Sequence, residues 1–164
     1  IILILLIKSF SFFINTKMLC CFNSRDNNTP HIMQIPERKV LLLGSSMIGK
    51  STFAYNLFYN RKRRGVPRCT IGVDVVSIDL HGEGGKLRAV MWDCAGNPNY
   101  SGLGKDYWID ATHAIIFGSK NNTNHKWYYN ALSKDIKIIE LLDYDQDIED
   151  FKERKDWLYE QIYD

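Results

Sequence analysis

The sequence predicts an α/β fold with three layers, in which helices cover both faces of a mostly parallel sheet. Residues Val40–Leu43 form a short, continuous apolar run, which is typical of a strand buried on both faces. A glycine-bearing loop follows, and the next segment, Thr52–Tyr59, has the pattern of a helix. A later run, Leu87–Trp92, has the pattern of another strand. Strands that alternate with helices indicate one sheet with helices packed against it.

The first 37 residues are expected to be an extension rather than part of this fold. Residues 1–17 are mostly apolar, but Lys8 interrupts them and the first methionine is Met18. The run lacks the charge pattern and cleavage site of a secretory signal, and it is shorter than the roughly 20 apolar residues of a membrane span. We expect synthesis to start at Met18, with a weak signal anchor as the alternative. Residues 22–37 are expected to be an unstructured leader, and the folded domain is predicted to cover residues 38–164.

The cysteines and histidines indicate neither a disulfide framework nor a zinc site. Cys20 and Cys21 are adjacent, Cys69 and Cys94 stand alone, and no Cys-x-x-Cys spacing occurs. An intracellular protein of the cytoplasm, the nucleus or both fits best. Acylation of Cys20 and Cys21 would bring the chain to a membrane, and two ordinary thiols are the alternative. All four histidines are expected to be structural or surface residues, namely His31, His81, His113 and His125.

Length, composition and charge allow one globular domain. The chain has 164 residues, of which 45% are hydrophobic and 24% charged. The formal net charge of +2 is too small to indicate nucleic-acid binding, so no nucleic-acid partner is expected. A short basic cluster could meet an acidic partner, an anionic lipid surface or an import receptor, or could be a solvated loop. It comprises Arg61, Lys62, Arg63 and Arg64, with Arg68 close behind.

The loop after the first strand predicts a phosphate site. Residues Gly44–Ser51 match the P-loop pattern G-x-x-x-x-G-K-[ST], with a strand before them and a helix after them. Glycines allow the loop to turn and approach phosphates, Lys50 places an ammonium on the outer phosphates, and the Ser51 hydroxyl is a natural Mg²⁺ ligand. The predicted fold is therefore that of a P-loop NTPase. The predicted nucleotide-binding residues of this segment are Gly44, Ser45, Ser46, Met47, Ile48, Gly49, Lys50, Ser51 and Thr52.

The strand Leu87–Trp92 leads into a second candidate segment, Asp93-Cys94-Ala95-Gly96. An acidic residue at the end of a strand beside the P-loop strand is well placed to hold Mg²⁺ through water, which predicts Asp93 as a metal residue. A glycine three positions later can offer its N–H group to a terminal phosphate, which predicts Gly96 as a nucleotide-binding residue.

Two segments resemble the switch I and switch II signatures of Ras-superfamily GTPases. They are Thr70-Ile71-Gly72-Val73-Asp74 and Trp92-Asp93-Cys94-Ala95-Gly96. Within the superfamily the chain is most similar to the Ran family, although its switch I is equally Rab-like. The resemblance covers residues 38–136. The residues that carry the likeness to Ran are the turn at Gly82–Gly85, Gly102-Leu103, Tyr107-Trp108-Ile109 and Ala114-Ile115-Ile116-Phe117.

The resemblance implies a switch that binds GTP or GDP with Mg²⁺. Thr70 would close over the terminal phosphate and the metal, and Gly96 would contact the same phosphate from the other side. Lys50 and Thr70 would also take part in hydrolysis. The implied partners are effectors, exchange factors, activating proteins and nuclear transport receptors, with a role in nucleocytoplasmic or intracellular transport.

The sequence departs from the family at two catalytic positions. The residue after the Asp-x-x-Gly motif is Asn97 rather than the usual glutamine that orients the attacking water. Because asparagine is one methylene shorter, we expect slow hydrolysis and a long-lived triphosphate state. Met47 replaces a glycine or small residue directly over the phosphates, which also indicates weakened catalysis.

The guanine-reading Asn-Lys-x-Asp motif survives only in part. If Ile136–Leu142 is the next strand, Asp147 alone matches, and its carboxylate could accept the N–H groups of a guanine edge. The alternative role of Asp147 is to cap a helix at Ile148–Tyr163. The later Ser-Ala-Lys loop is absent, and the sheet is expected to be incomplete at its C-terminal end. The last helix could replace the missing closing helix, or else the product is a truncated domain.

The sequence is consistent with three functions. The first is a small GTPase with weakened hydrolysis that acts as a guanine-nucleotide switch. The second is a degenerate interaction module without useful hydrolysis, which Asn97, Met47 and the eroded base motif favour. The third is an ATP-using P-loop enzyme such as a small kinase, against which the two switch-like segments argue.

Overall fold

The structure is a computed structural model. It describes residues 34–65, 68–97, 106–118, 131, 133–142, 144 and 150–164. Residues 1–33, to which most of the predicted extension belongs, lie outside this range.

The described residues form five strands and two long helices. In chain order they are β1 (Glu37–Leu43), α1 (Lys50–Tyr59), β2 (Val73–Gly82), β3 (Gly85–Cys94), β4 (His113–Gly118), β5 (Lys137–Leu142) and α2 (Phe151–Ile162). Strand β1 begins at Glu37, one residue inside the predicted leader. None of the described helices is long and apolar enough to cross a membrane.

The strands form one sheet in the order β2-β3-β1-β4-β5. Only β2 and β3 pair antiparallel, through the tight turn that the glycines at 82–85 predict, and the other neighbours are parallel. Strand β1 therefore lies at the centre, with β3 on one side and β4 on the other. The prediction of an α/β fold with a mostly parallel sheet is confirmed.

The central strand contributes to a core on each face of the sheet. Val40 and Leu42 pack with Phe53 of α1, whereas Leu41 and Leu43 pack with residues such as Ile116 in a second cluster. These four side chains of β1, Val40–Leu43, are at most 2% exposed. Because alternate residues of a strand point to opposite faces, burial on both sides produces the unbroken apolar run seen in the sequence.

The C-terminal helix α2 covers the sheet beside α1. Leu158, Tyr159 and Ile162 belong to the same core cluster as Phe53, and the helix packs mainly against β2. Its apolar residues recur at helical spacing, so one face of the helix is buried. Helix α2 therefore covers this part of the apolar sheet face. Such cover is expected if the last helix replaces the closing helix of the fold.

The start of α2 corrects one prediction. The helix begins at Phe151 and its N-cap is Asp150, whose carboxylate accepts a hydrogen bond from the Glu153 N–H at 2.9 Å. Glu153 stands three residues after the cap, as in a capping box. The alternative role of Asp147 as the cap is wrong, because the helix starts later. Asp147 itself lies outside the described residues.

Two tyrosines of the C-terminal segment hold the β2–β3 turn. A Cβ atom at Gly82 would fall within 2.6 Å of ring atoms of Tyr159, so the tyrosine ring packs directly against the glycine. The Tyr163 hydroxyl donates a hydrogen bond to the Gly84 carbonyl at 3.0 Å. The turn between the two switch-like segments is thus packed against the last helix.

Candidate phosphate-binding site

The P-loop follows directly from the buried end of β1 and leads into α1. Gly44 has φ 140° and Gly49 has φ 104°. Glycine adopts such positive φ values far more readily than other residues do. Gly49 is also the N-cap position of α1, and its carbonyl accepts the Phe53 N–H at 2.8 Å. The loop therefore ends at a helix N-terminus, where free N–H groups and the helix dipole favour an anion.

Lys50 lies beneath the loop with its charge nearly enclosed. Its Nζ donates to the Gly44 carbonyl at 3.1 Å and to the Ser45 carbonyl at 2.8 Å, and the residue is 6% exposed. Burial lowers the pKa of Lys50, while the nearby Asp93 carboxylate opposes that shift. A buried ammonium held by carbonyl groups next to a helix N-terminus is suited to an anionic ligand.

Three oxygen-bearing side chains from separate segments meet beside the lysine. Ser51 Oγ of α1 lies 3.1 Å from Thr70 Oγ1, and Thr70 Oγ1 donates to Asp93 Oδ2 at 3.2 Å. We call this group the Ser51–Thr70–Asp93 cluster. It contains all three residues that the sequence predicted as metal residues.

The Ser51–Thr70–Asp93 cluster fits a magnesium ion. Asp93 is 3% exposed, and its Oδ1 atom is buried without a hydrogen-bond partner. Burial raises the pKa of Asp93, against the hydrogen bond from Ser51 and the charge of Lys50. Mg²⁺ prefers oxygen ligands and usually binds between one or two carboxylates and phosphate. In the part of the chain that the structure describes, no group of three or more His, Cys, Asp or Glu residues forms another metal site.

Gly96 packs directly against the P-loop. A Cβ atom at this position would lie 2.5 Å from the Ser45 carbonyl carbon and from the Ser46 amide nitrogen, and 2.7 Å from the Gly44 carbonyl oxygen. Only glycine can approach backbone this closely without displacing it. The backbone of the switch II-like segment therefore lies at the predicted phosphate site.

A cavity of about 160 Å³ opens over the loop. Small-molecule sites are usually about 300–1,000 Å³, so this cavity is the size of part of a nucleotide, as expected for its phosphate end. The cavity is lined by Ser46, Met47, Ile48, Gly49, Lys50, Ser51, Thr52, Arg68, Cys69, Thr70 and Gly96.

Met47 and Asn97 stand at the edges of this site. Met47 is 67% exposed and has φ 63°, a left-handed conformation that costs a non-glycine residue about 1–2 kcal/mol. Asn97 is half-buried and follows Gly96 directly. Asp147, the predicted base-reading residue, lies outside the described residues.

Two cavity residues were not predicted as phosphate contacts. The sequence pattern places Arg68 close behind the basic cluster, and it indicates neither a disulfide nor a zinc site for Cys69. Both directly precede Thr70 in the chain, and all three residues line the cavity. Their position just before a predicted metal residue was the signal that could have identified them.

Comparisons with known proteins agree with this geometry. Residues 39–142, more than half of the chain, match the family model described as "Ras of Complex, Roc, domain of DAPkinase". A "Probable Rab-related GTPase" from Acanthamoeba polyphaga mimivirus is 32% identical over 79 residues, which are 48% of this chain. The match spans 36% of that relative, about a third of its length.

Proposed function

The chain belongs to the Roc family of Ras-like domains, and on that premise we propose that it is a guanine-nucleotide switch that binds GTP or GDP with Mg²⁺. The observation that carries the proposal is the Ser51–Thr70–Asp93 cluster. Its members come from α1, the segment before β2 and the end of β3, and they meet beside the P-loop lysine. This arrangement supplies phosphate and metal contacts together.

Each part of the site has a distinct task in binding. The P-loop amides and Lys50 bind the phosphates, because they concentrate positive charge at the end of α1. Ser51, Thr70 and Asp93 would hold the magnesium ion, Asp93 through water. When bound, the ion neutralises charge on the outer phosphates. Asp147 is proposed to select guanine through its carboxylate.

The switch would act through the two segments that meet at the loop. Thr70 connects the segment before β2 to the cluster, and Gly96 brings the segment after β3 against the loop backbone. Both contacts depend on groups that touch the terminal phosphate or its metal, so loss of that phosphate would release both segments. A partner that binds only the ordered form then reads the nucleotide state.

We propose that hydrolysis is slow. Asn97 occupies the position after Gly96 and carries an amide on a side chain one methylene shorter than that of glutamine. It would orient the attacking water poorly, and the triphosphate state would persist until a partner acts. The second candidate, an interaction module without useful hydrolysis, is favoured by the strained and exposed Met47 over the cavity.

The pathway is proposed by resemblance only. The likeness to Ran suggests a role in nucleocytoplasmic or intracellular transport, with exchange factors, activating proteins and nuclear transport receptors as partners and the cytoplasm or nucleus as location. A pull-down with nuclear transport receptors, using chain loaded with GDP or with a non-hydrolysable GTP analogue, tests this. Binding that does not depend on the nucleotide would contradict the role.

Nucleotide competition tests the function itself. GTP, GDP and ATP compete for the full chain against a fluorescent guanine nucleotide, with and without Mg²⁺. We expect displacement by GTP and GDP but not by ATP, and tighter binding with Mg²⁺. Equal displacement by ATP would favour a different P-loop enzyme, and no binding would favour the interaction module.

The variant Asp93→Asn tests the metal assignment. It keeps the size of the side chain but removes the buried charge, so Mg²⁺-dependent affinity should fall by about 10–100-fold, as when metal-supporting groups are removed. The matched control is Asp79→Asn, because the exposed Asp79 carboxylate pairs with Arg88 at 2.7 Å on the sheet surface. If both variants bind alike, Asp93 does not hold the metal.

A further inference from the structure

Arg68 lines the cavity over the P-loop. It stands two positions before Thr70, and both residues border the same cavity as Ser46 and Gly96. Among the cavity residues, Lys50 and Arg68 are the two that carry a full positive charge. The site therefore offers a second cation beyond the P-loop lysine.

The two cations are held very differently. Lys50 is almost fully buried, and its Nζ already donates to the carbonyl groups of Gly44 and Ser45. Arg68 is exposed, and no hydrogen bond or ion pair involves it in the described part of the chain. By contrast Arg88, on the sheet surface, is engaged by both Asp79 and Glu37. An unengaged guanidinium at the cavity is available for an incoming anion.

We propose that Arg68 is a phosphate-binding residue that donates hydrogen bonds from its guanidinium to the terminal phosphoryl group of GTP. A planar guanidinium can donate two parallel hydrogen bonds to phosphate oxygens, which suits it to this role. The proposal rests on the proposed function, since it names a further residue of the same site. It also assigns Arg68 a task apart from the basic cluster at 61–64.

The position of Arg68 couples it to the nucleotide state. Two residues of extended chain span roughly 7 Å, so a Thr70 held at the Ser51–Thr70–Asp93 cluster keeps Arg68 at the cavity. GDP lacks the phosphoryl group that the guanidinium would contact. The contribution of Arg68 should therefore be specific to the triphosphate.

The same contact would assist hydrolysis. Water attacks the terminal phosphorus, the bond to the bridging oxygen breaks, and its electron pair stays on GDP. One proton of the water stays on the released phosphate, and the other goes to solvent. Negative charge on the transferred group and the bridging oxygen must be stabilised during this step. With Asn97 too short to position water well, Arg68 supplies charge stabilisation from within the chain.

The test compares Arg68→Ala, Arg68→Lys and the control Arg64→Ala in the full chain. Arg64 is exposed and carries the same charge nearby, but it does not line the cavity. Affinities for GDP and for a non-hydrolysable imido analogue of GTP are measured with Mg²⁺, together with single-turnover hydrolysis. For Arg68→Ala we expect a loss of roughly tenfold or more for the analogue and little change for GDP, the size expected for a hydrogen bond to a charged group. Arg68→Lys should fall between Arg68→Ala and the unmodified chain.

The outcomes separate this inference from the proposed function. If Arg68→Ala leaves analogue binding unchanged, or weakens GDP and analogue equally, the inference is overturned while the switch function stands. An equal loss in Arg64→Ala would also overturn it, because the effect would then be general electrostatics. If the unmodified chain binds no guanine nucleotide, the proposed function fails and the inference fails with it.

Discussion

One methyl group added at Gly96 would test the contact between the switch II-like segment and the P-loop. The new Cβ atom would lie 2.5 Å from the Ser45 carbonyl carbon and the Ser46 amide nitrogen. Carbon atoms in good contact are about 3.5–4.0 Å apart, so the two segments must separate by about 1 Å. Because the opposing atoms are backbone, no flexible side chain can relieve the overlap.

The expected cost of Gly96→Ala follows from this overlap. Inserting a methyl group into a packed contact typically lowers the free energy of unfolding by about 1–3 kcal/mol. The displaced loop is also the one that would bind phosphates. We therefore expect affinity for GDP to fall by roughly tenfold, which corresponds to about 1.4 kcal/mol, and affinity for the triphosphate to fall further.

Urea denaturation without nucleotide and titration with fluorescent GDP measure the two effects. The control is Gly65→Ala, because Gly65 has φ +84° and a Cβ atom there would meet nothing within 4 Å. That variant should lose stability through backbone strain, by about 1–2 kcal/mol, and should keep its nucleotide affinity. If Gly96→Ala binds GDP as tightly as the unmodified chain, the contact between Gly96 and the P-loop does not govern binding, and the reasoning is refuted.

Three further predictions address catalysis, pH and the last helix. Asn97→Gln should accelerate single-turnover GTP hydrolysis by roughly tenfold or more, because the longer amide reaches the water; an unchanged rate would remove Asn97 as the cause of slow hydrolysis. Burial lowers the pKa of His113 to about 4, below the value of about 6.5 in an unfolded chain, so the unfolded chain binds the extra proton. The free energy of unfolding should therefore fall as the pH drops from about 6.5 to about 4, by at most about 1.4 kcal/mol per pH unit. His113→Gln should flatten this pH dependence in denaturation curves. If the pH dependence persists in the variant, a group other than His113 causes it. Asp150→Ala should cost about 1 kcal/mol in urea denaturation through loss of the N-cap bond to Glu153, whereas Asp156→Ala, which removes an exposed pair, should cost less than about 0.5 kcal/mol; equal losses would contradict the capping assignment.

The comparisons show the family at a coarser level than the likeness to Ran. The matched descriptions name Roc and a Rab-related protein, and neither names Ran. The shared features are therefore those of the Ras superfamily as a whole. The likeness to Ran, the transport role and the guanine specificity of Asp147 remain predictions.

Local sequence was enough to predict the parts of the site whose residues are contiguous. The P-loop could be recognised because the strand, the turn glycines, Lys50 and Ser51 follow one another within a few residues, and their spacing alone determines the loop. Strand β1 could be recognised because burial on both faces leaves an unbroken apolar run. The boundaries of these elements shifted by only a few residues, since helix and strand ends depend on local hydrogen bonds.

Contacts between distant segments required the tertiary structure. Ser51 and Thr70 are 19 residues apart, and Thr70 and Asp93 are 23 apart, yet they meet within hydrogen-bond distance. They meet because β3 pairs with β1, which brings Asp93 level with Leu42 at the end of the P-loop strand. The sequence by itself determined the phosphate loop and the fold class, because both depend on the local spacing of residues and on the hydrophobic pattern. Only the tertiary structure decided that α2 covers β2 and that Arg68 lines the cavity over the P-loop, because these depend on which separate surfaces pack together.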